Sequence, residues 1–192
     1  MDRRITIALL VVLAVLGGYI WYTFLRADAP PITPVTPAPT PLAVLKFDDA
    51  HVTALQVRDV KNNQTTRVVR SGDVWKMEQP AQGDAFTPRV ERILFDLAAL
   101  NAERKIQAPS DLAAYGLNPP SYQVQVTLQD GSTYTLVLGN QNPDQNYWYA
   151  KKDSDAAVYL INASIGDDIQ EFVTKPPYTP TPPPTPGATP TP

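Results

Sequence analysis

Apolar and polar residues alternate in several stretches between residues 42 and 174. The clearest stretch is YQVQVTL, residues 122–128, in which every second residue from Tyr122 is apolar. A β-strand that buries one side has this period of two. The dipeptide Asp130-Gly131 then predicts a turn into a second alternating strand at Tyr134–Leu138. The two stretches are interpreted as an antiparallel hairpin.

Shorter versions of the same pattern predict further strands. The turn signal Ser71-Gly72-Asp73 separates two of them. The additional strands are predicted at Leu42–Phe47, around Val52, Leu55 and Val57, at Thr66–Arg70, Val74–Met77, Tyr147–Ala150 and Ala157–Ile161.

The segment TPRVERILFDLAAL, residues 87–100, has the period of a helix instead. The apolar residues at the spacing of one helix face are Val90, Ile93, Leu94, Leu97 and Leu100. Thr87 is expected to cap this helix, and Pro88 suits its first turn. A last helix is predicted from Ser164 to about Val173.

The stretch DLAAYGLNPP, residues 111–120, is interpreted as a helix stop and not as a ligand-binding loop. Ser110 is expected to cap a short helix at Asp111–Tyr115. Gly116 stands where a left-handed residue ends a helix, and Leu117 supplies the apolar contact that accompanies such a stop. The two prolines that follow prevent helix continuation and favour an extended chain.

These elements predict an α+β fold with an antiparallel, β-rich domain. Strands and helices do not alternate regularly, which argues against a doubly wound parallel sheet. Residues 52–100 and 121–173 each run through antiparallel strands and close with a helix. We therefore expect two similar halves, each a β-sheet plus a helix, that share one core.

The amino-terminal segment is apolar throughout. Residues 5–25, ITIALLVVLAVLGGYIWYTFL, carry no charge, and a helix of that length spans the roughly 30 Å hydrocarbon core of a bilayer. Tyr19, Trp21 and Tyr22 lie near its end, where aromatic rings favour the headgroup level. Residues 1–26 are therefore expected to form a single N-terminal transmembrane helix in contact with membrane lipid.

Charges that flank this apolar run predict its orientation. Arg3 and Arg4 precede it, whereas Arg26 is offset by Asp28, so the N-terminus is expected in the cytoplasm and the domain outside the cytoplasmic membrane. A cleaved signal peptide is the alternative, because Ala27-Asp28-Ala29 resembles a small-x-small cleavage site. The length of the apolar run favours the uncleaved, single-pass anchor.

Proline divides the rest of the chain into three parts. Six of the 21 prolines lie between residues 30 and 41, and nine lie between residues 176 and 192. Proline removes backbone donors and extends the chain, so residues 27–41 are expected to be a linker. Residues 175–192, rich in threonine and proline, are expected to be a disordered tail. The domain between them is residues 42–174.

Charge and composition exclude some classes of function. Residues 42–174 hold 12 Lys and Arg against 17 Asp and Glu, and nucleic acid binding needs a basic patch, so no nucleic acid partner is expected. The chain has no cysteine and one histidine, His51, which is expected in a turn. No catalytic, cofactor-binding or metal-binding residue is predicted.

One segment is a candidate interaction surface: Tyr147, Trp148 and Tyr149, followed by Lys151 and Lys152. In a strand the two tyrosines point to one side and Trp148 to the other, so one aromatic set would be exposed. Aromatic residues beside lysines suit a protein interface or a platform on which sugars stack. The competing interpretation is that these rings belong to the core.

Several motifs occur together in one order: VTALQV, VWKMEQP, FTPRVERILFDLAAL, DLAAYGLNPP, VTLQDGSTYTLVLGN and YWYAKKDSDAAVYLI. This set resembles the bacterial domain of unknown function 4340 over most of residues 42–173. The Tyr-Gly-Leu-x-x-Pro motif and the later Leu-Gly motif are its most specific parts. The resemblance implies a membrane-anchored extracytoplasmic protein with an accessory role, and it supplies no catalytic residues.

The anchor, the two proline-rich segments and the lack of a catalytic constellation favour a non-enzymatic accessory protein. We expect a subunit of a larger membrane or envelope complex with protein partners. Two alternatives stay open. One is a module that binds cell-envelope polymer or glycan through the aromatic strand. The other is a hydrolase whose site is assembled from scattered residues.

Overall fold

The computed structural model describes residues 12–22 and 42–180. Residues 12–22 form helix α1, which belongs to a unit of the chain separate from residues 42–180. Some of the predicted segments lie outside the described residues: residues 5–11 and 23–25 of the span, the linker at 27–41 and residues 181–192 of the tail. Within the described part, no helix combines the length and apolar character needed to cross a bilayer.

From residue 42 onward the described chain, here called the body, forms one antiparallel sheet and two α-helices. The helices are α2 (Thr87–Ala98) and α3 (Ala163–Thr174), and single 3-10 turns lie at Asp49–His51 and Ala113–Tyr115. The strands, in chain order, are β1 (Leu42–Ala43), β2 (Val52–Asp59), β3 (Gln64–Ser71), β4 (Val74–Gln79), β5 (Gly83–Asp84), β6 (Asn101–Ile106), β7 (Tyr122–Leu128), β8 (Thr133–Gln141), β9 (Tyr147–Lys152) and β10 (Val158–Asn162). The predicted antiparallel, β-rich α+β fold is confirmed.

Across the sheet the strands are ordered β1-β6-β10-β9-β8-β7-β2-β3-β4-β5. Two meanders of neighbouring strands, β2 to β5 and β7 to β10, meet where β2 pairs with β7. A helix follows each meander in the chain. β6 and β1 extend the sheet beyond β10, because β6 pairs with β10 and β1 pairs with β6.

Alternate residues of the strands bury one face of the sheet. Leu55 of β2 stands opposite Val68 of β3 and Val126 of β7, and all three are buried. The helices add their apolar side chains to the same hydrophobic cluster: Val90, Ile93, Leu94, Leu97, Ile169, Phe172 and Val173. Gln56 of β2 and Gln125 of β7, which alternate with Leu55 and Val126, are polar and half-buried.

The predicted helix at residues 87–100 is confirmed for Thr87–Ala98, but its cap differs. Its N-cap is Phe86, whose side chain makes no capping hydrogen bond, and Thr87 is the first helical residue. The prediction of Thr87 as the cap is wrong for a tertiary reason. The Phe86 N–H donates to the Pro177 carbonyl at 2.7 Å, and this bond holds Phe86 extended, so the helix begins directly after it.

The strand predicted at Leu42–Phe47 is wrong beyond Ala43. Val44 and Leu45 are buried, but their N–H groups donate to one carbonyl, that of Leu100, at 2.8 and 3.3 Å. The chain therefore turns inward instead of continuing the ladder with β6. Their apolar character reflects burial in the core, which a strand pattern alone does not distinguish from pairing.

The helix stop around Gly116 is confirmed, with one correction. The N-cap is Leu112, which makes no side-chain capping bond, and Asp111 rather than Ser110 accepts from two N–H groups of the turn, at 2.9 and 3.4 Å. The helix is a single 3-10 turn at Ala113–Tyr115. Gly116 has a φ of 67°, and the Leu117 N–H donates to the carbonyl five residues earlier at 3.0 Å. These are the features of a Schellman stop.

A charged cluster ties the loop between β9 and β10 to β6. The Asp155 carboxylate accepts from the Lys105 Nζ at 2.9 Å, from the Ala157 N–H at 3.0 Å and from the Tyr159 hydroxyl. Lys105 and Lys152 also lie 5.4 and 5.8 Å from the centre of the Tyr159 ring. The bonds from Tyr159 and Lys105 hold the pKa of Asp155 well below its usual value of 3.8.

Asp155→Asn is expected to destabilise the body at neutral pH, and its deficit relative to the unsubstituted protein is expected to shrink as the pH falls below about 4. A carboxyl whose pKa is lowered by folding stabilises the fold above its unfolded-state pKa. That stabilisation is lost as the pH falls through the folded-state pKa. Denaturant midpoints from neutral pH down to about pH 2 measure the effect. The control is Asp153→Asn, an exposed carboxylate of the same loop. A deficit independent of pH would contradict the prediction.

Candidate functional site

The candidate surface at Tyr147, Trp148 and Tyr149 lies in β9, and the structure separates its members. Trp148 is 7% exposed. Its ring lies against Gly166 of α3, where an added Cβ would come within 2.2 Å, and its Nε1 donates to the Asp167 carboxylate at 3.0 Å. Trp148 is therefore a core residue. The two tyrosines are half-buried, and for them the interaction surface stays a prediction.

Tyr149 connects β9 to the helix stop. Its ring packs edge-on against Tyr115, with the ring centroids 4.9 Å apart and the planes at 72°. Strand alternation places Tyr149 on the opposite side of β9 from Trp148. The aromatic pair thus lies on the side of the sheet away from α3.

The Tyr-Gly-Leu motif and the later Leu-Gly motif are in direct contact, at what we call the glycine junction. A Cβ on Gly139 would lie 2.0 Å from the Tyr115 carbonyl oxygen and 2.9 Å from the Gly116 carbonyl carbon. A Cβ on Gly116 would lie 2.5 Å from the Asn140 side chain. Because neither glycine has a side chain, the Tyr115–Gly116 segment and the Gly139–Asn140 segment can approach each other this closely.

A small polar cleft of about 230 Å³ opens beside the glycine junction, and its walls include Asp59, Asn62, Tyr122 and Asn140. Asp59 is buried, and both of its carboxylate oxygens accept from Asn62, at 2.9 and 2.7 Å. Burial, with the charge of Asp59 second, raises the pKa of Tyr122. The bonds of Asp59 are those of the turn between β2 and β3, so this carboxylate has a structural role.

His51 lies at the surface in a turn, as expected. Its Nδ1 is 2.8 Å from the Asp48 carboxylate, and both side chains are more than half exposed. Asp48 also accepts from the Ala50 N–H at 3.0 Å, which makes it the cap of the 3-10 turn. Among the residues that the structure describes, no three His, Asp or Glu side chains are grouped as metal ligands would be.

The outer side of α2 exposes an aromatic residue that the sequence analysis overlooked. Phe95 is 68% exposed, whereas its neighbours Leu94 and Leu97 are buried. The signal was present in the pattern, since Phe95 falls outside the apolar spacing of the buried helix face. A single exposed phenylalanine is ordinary by itself, so the surroundings of Phe95 decide whether this part of α2 is a candidate site.

Two clefts lie beside Phe95 and the start of α2, and Pro88 lines both. The first, of about 500 Å³, is lined by Phe95 together with Arg70, Glu91 and Arg92. The second, of about 330 Å³, is lined by residues that include the exposed Val74 and Phe86. The exposed residues Phe86, Pro88, Glu91, Arg92 and Phe95 are called the α2 surface below.

Arg70 gives the first cleft a fixed wall. Its Nη1 donates to the Ala50 carbonyl at 2.7 Å, its guanidinium lies 5.3 Å from the centre of the Trp75 ring, and its Nη2 is 4.0 Å from a Glu91 carboxylate oxygen. Because Trp75 is buried in the core, the guanidinium is held in place from below. The wall that Arg70 forms is thus fixed by contacts within the body.

The body is an antiparallel α+β domain whose notable surface features are the glycine junction and the α2 surface. Comparison with protein families gives a match to "Domain of unknown function (DUF4340)" over residues 75–179. The match covers more than half of the chain, so the chain belongs to this family, as the sequence motifs indicated. Comparisons with curated proteins and with solved structures gave no match.

Gly139→Ala is expected to destabilise the body by about 1–3 kcal/mol, the usual range for an overpacked site. The new methyl group would meet backbone atoms of Tyr115 and Gly116, and no rotamer change can relieve that contact. Denaturant unfolding measures the loss. The matched control is Gly83→Ala, whose Cβ would make an ordinary 3.5 Å contact. Equal stabilities of the two variants would show that the glycine junction does not require glycine.

Proposed function

We propose that this chain is a single-pass, membrane-anchored extracytoplasmic accessory protein, a non-catalytic subunit of a larger membrane or envelope complex. In this proposal residues 5–25 are the anchor, residues 27–41 the spacer and the body the interaction domain. The uncharged apolar run supports the anchor, because a helix of its length matches the hydrocarbon core of a bilayer. The exposed side chains of α1 are consistent with it.

The observation that carries the interaction role is the exposure of Phe95 within the α2 surface. Protein interfaces concentrate their energy in a few aromatic and arginine side chains surrounded by a polar rim. Phe95 supplies the aromatic anchor, and Arg92 and Glu91 supply charges beside it. A protein partner fits this surface better than a small molecule, because exposed residues form most of the lining of both clefts.

Comparison of α2 with α3 strengthens this assignment. We propose that the two meanders with their helices are similar halves, since both helices have 12 residues and follow corresponding strands. Aligned from their first residues, the two helices share three buried positions, the fourth, seventh and eleventh: Val90, Ile93 and Leu97 in α2, and Gly166, Ile169 and Val173 in α3. The eighth position is buried only in α2, as Leu94, and the tenth only in α3, as Phe172. The ninth position is Phe95 in α2 and Glu171 in α3. A helix in this setting therefore does not need an aromatic residue there.

A second candidate function is binding of envelope polymer or glycan. The edge-on pair of Tyr115 and Tyr149 favours it, because aromatic rings on a polar sheet face can stack on sugars. Trp148 does not contribute, since its ring is in the core. If this function holds, retention of the protein on isolated envelope material depends on Tyr149 and not on Phe95.

A photo-crosslinking residue in place of Phe95 is expected to give a discrete adduct with a protein partner in intact cells. The same residue in place of Gln170, an exposed position of α3, is the matched control and is expected to give none. Phe95→Ala should release the crosslinked partner during co-purification from gently solubilised membranes. It should change the free energy of unfolding by less than about 0.5 kcal/mol, because the side chain is exposed.

The same adducts at both positions, or a protein recovered as a lone monomer without adducts, would contradict the accessory role.

Topology can be tested cleanly because the chain has no cysteine. Asp73→Cys, in the exposed turn between β3 and β4, is expected to react with a membrane-impermeant maleimide in intact cells. Asp2→Cys is expected to react only after lysis, since the N-terminus is proposed to be cytoplasmic. Labelling of Asp2→Cys in intact cells, or a mature mass that lacks the first residues, would refute the anchor.

A further inference from the structure

After α3 the chain returns to the sheet. The segment Pro177–Thr179 lies beside β5, with Tyr178 directly opposite Ala85 in an antiparallel bridge. Two backbone hydrogen bonds, 2.7 and 2.9 Å long, join the segment to the residues on either side of Ala85. This is the hydrogen-bond pattern of an extended peptide added to the edge of a sheet. The threonine and proline content predicts a disordered tail at residues 175–192, and these contacts correct that prediction for Pro177–Thr179.

Tyr178 anchors the segment through both its hydroxyl group and its ring. Its hydroxyl donates to the Ala81 carbonyl and accepts from the Ala81 N–H, each at 3.1 Å. Its ring lies over Gly83. A Cβ added to Gly83 would lie 3.5 Å from two carbons of the ring, which is an ordinary van der Waals contact. A phenylalanine would lose both hydrogen bonds, so the contacts select a tyrosine at this position.

The backbone around residue 177 favours proline at that position. In an antiparallel ladder the N–H of this residue would point to the Phe86 carbonyl. That carbonyl already accepts from the N–H groups of Arg89 and Val90, at 3.0 and 3.3 Å, in the first turn of α2. Proline has no N–H to leave unpaired there, and Pro177 is buried.

A hydrogen bond at the end of α3 directs the segment to this place. The Arg89 Nη1 donates to the Lys175 carbonyl at 2.6 Å, which holds the chain just before Pro177. The match to the DUF4340 family ends at Thr179. The family boundary thus falls at the end of the docked segment and not at the end of α3.

We propose that residues 81–86 form a peptide-binding groove that takes an extended Pro-Tyr-Thr segment by strand addition. Pro177–Thr179 fills the groove in cis, and the same segment of a second copy of this chain is its occupant in trans. Displacing the resident segment breaks two backbone bonds and the Tyr178 contacts and leaves the pairing of β4 with β5 in place. Exchange uncovers the buried residues Pro177 and Ala85, which the incoming segment covers again, whereas Tyr178 is already 39% exposed.

The groove can be tested with two shortened forms of the full chain in detergent. One form ends at Lys175 and has an empty groove, and the control form ends at Pro180 and keeps the resident segment. The probe is the fluorescent peptide KPPYTPTP, which has the sequence of residues 175–182. Fluorescence anisotropy measures its binding, and near-UV circular dichroism reports the fold.

The form that ends at Lys175 is expected to bind the peptide saturably. The form that ends at Pro180 should bind at least about tenfold more weakly, because a tethered segment competes at a millimolar effective concentration. A peptide with alanine in place of tyrosine should also lose at least about tenfold in affinity, since it lacks the anchor contacts. In a mixture whose concentration approaches the effective concentration of the tethered segment, the tagged form that ends at Lys175 should retain the intact chain but not its Tyr178→Ala variant.

The proposal fails if the folded form that ends at Lys175 does not bind the peptide, or if it binds the alanine peptide equally well. Should that form not fold, intact Tyr178→Ala is the second test, because it weakens the resident segment and keeps every other residue. If Tyr178→Ala is also unfolded, the segment is an integral strand and not an exchangeable ligand. These outcomes do not depend on Phe95 or on membrane topology, so they are separate from the test of the proposed function.

Discussion

The pairing of β2 with β7 is the constraint on which the rest of the body depends. It brings together two meanders that are distant in the chain and makes them one sheet, with Leu55 opposite Val126 and Val57 opposite Val124. Because side chains alternate along a strand, a slip of one residue would turn these apolar residues away from the helices. The hydrophobic cluster that α2 and α3 share with the sheet exists only in the observed register.

Elements whose hydrophobic period matches their surroundings were predictable from sequence. β7 and α2 are examples, since each buries one face and their apolar residues recur at the corresponding period. β6 was missed because Glu103 and Arg104 are exposed next to the short outer strand β1, so its pattern resembles a polar loop. Val44 and Leu45 were wrongly predicted as part of a strand, because they are buried but not paired with a neighbouring strand. The period of the apolar residues indicates which side chains are buried. Buried residues belong to a paired strand only where the backbone continues the hydrogen-bond ladder.

The candidate sites show the same limit. Strand alternation correctly separated Trp148 from the two tyrosines, but the choice of the buried side depends on α3, where Gly166 leaves room for the indole. Glycine at residue 116 was explained by a helix stop, which accounts for its φ but not for its contact with Asn140. Docking of Tyr178 required backbone positions around Gly83 that no local pattern encodes. The exposure of Phe95 was predictable from the sequence, since a helical projection places this residue away from the buried face.

The two-residue strand β1 determines how the body responds to mechanical load. Tension transmitted along the chain from its amino-terminal side reaches Leu42 first, and β1 is joined to β6 through Leu42 and Ala43. The next bonds inward converge on the single Leu100 carbonyl. These few bonds can rupture while β2 remains paired on both sides, at the cost of exposing Val44 and Leu45. Leu42–Lys46 can therefore extend before the load reaches Phe47, which is held by its N–H bond to the Ala98 carbonyl at 3.2 Å and by its ring contact with Tyr134.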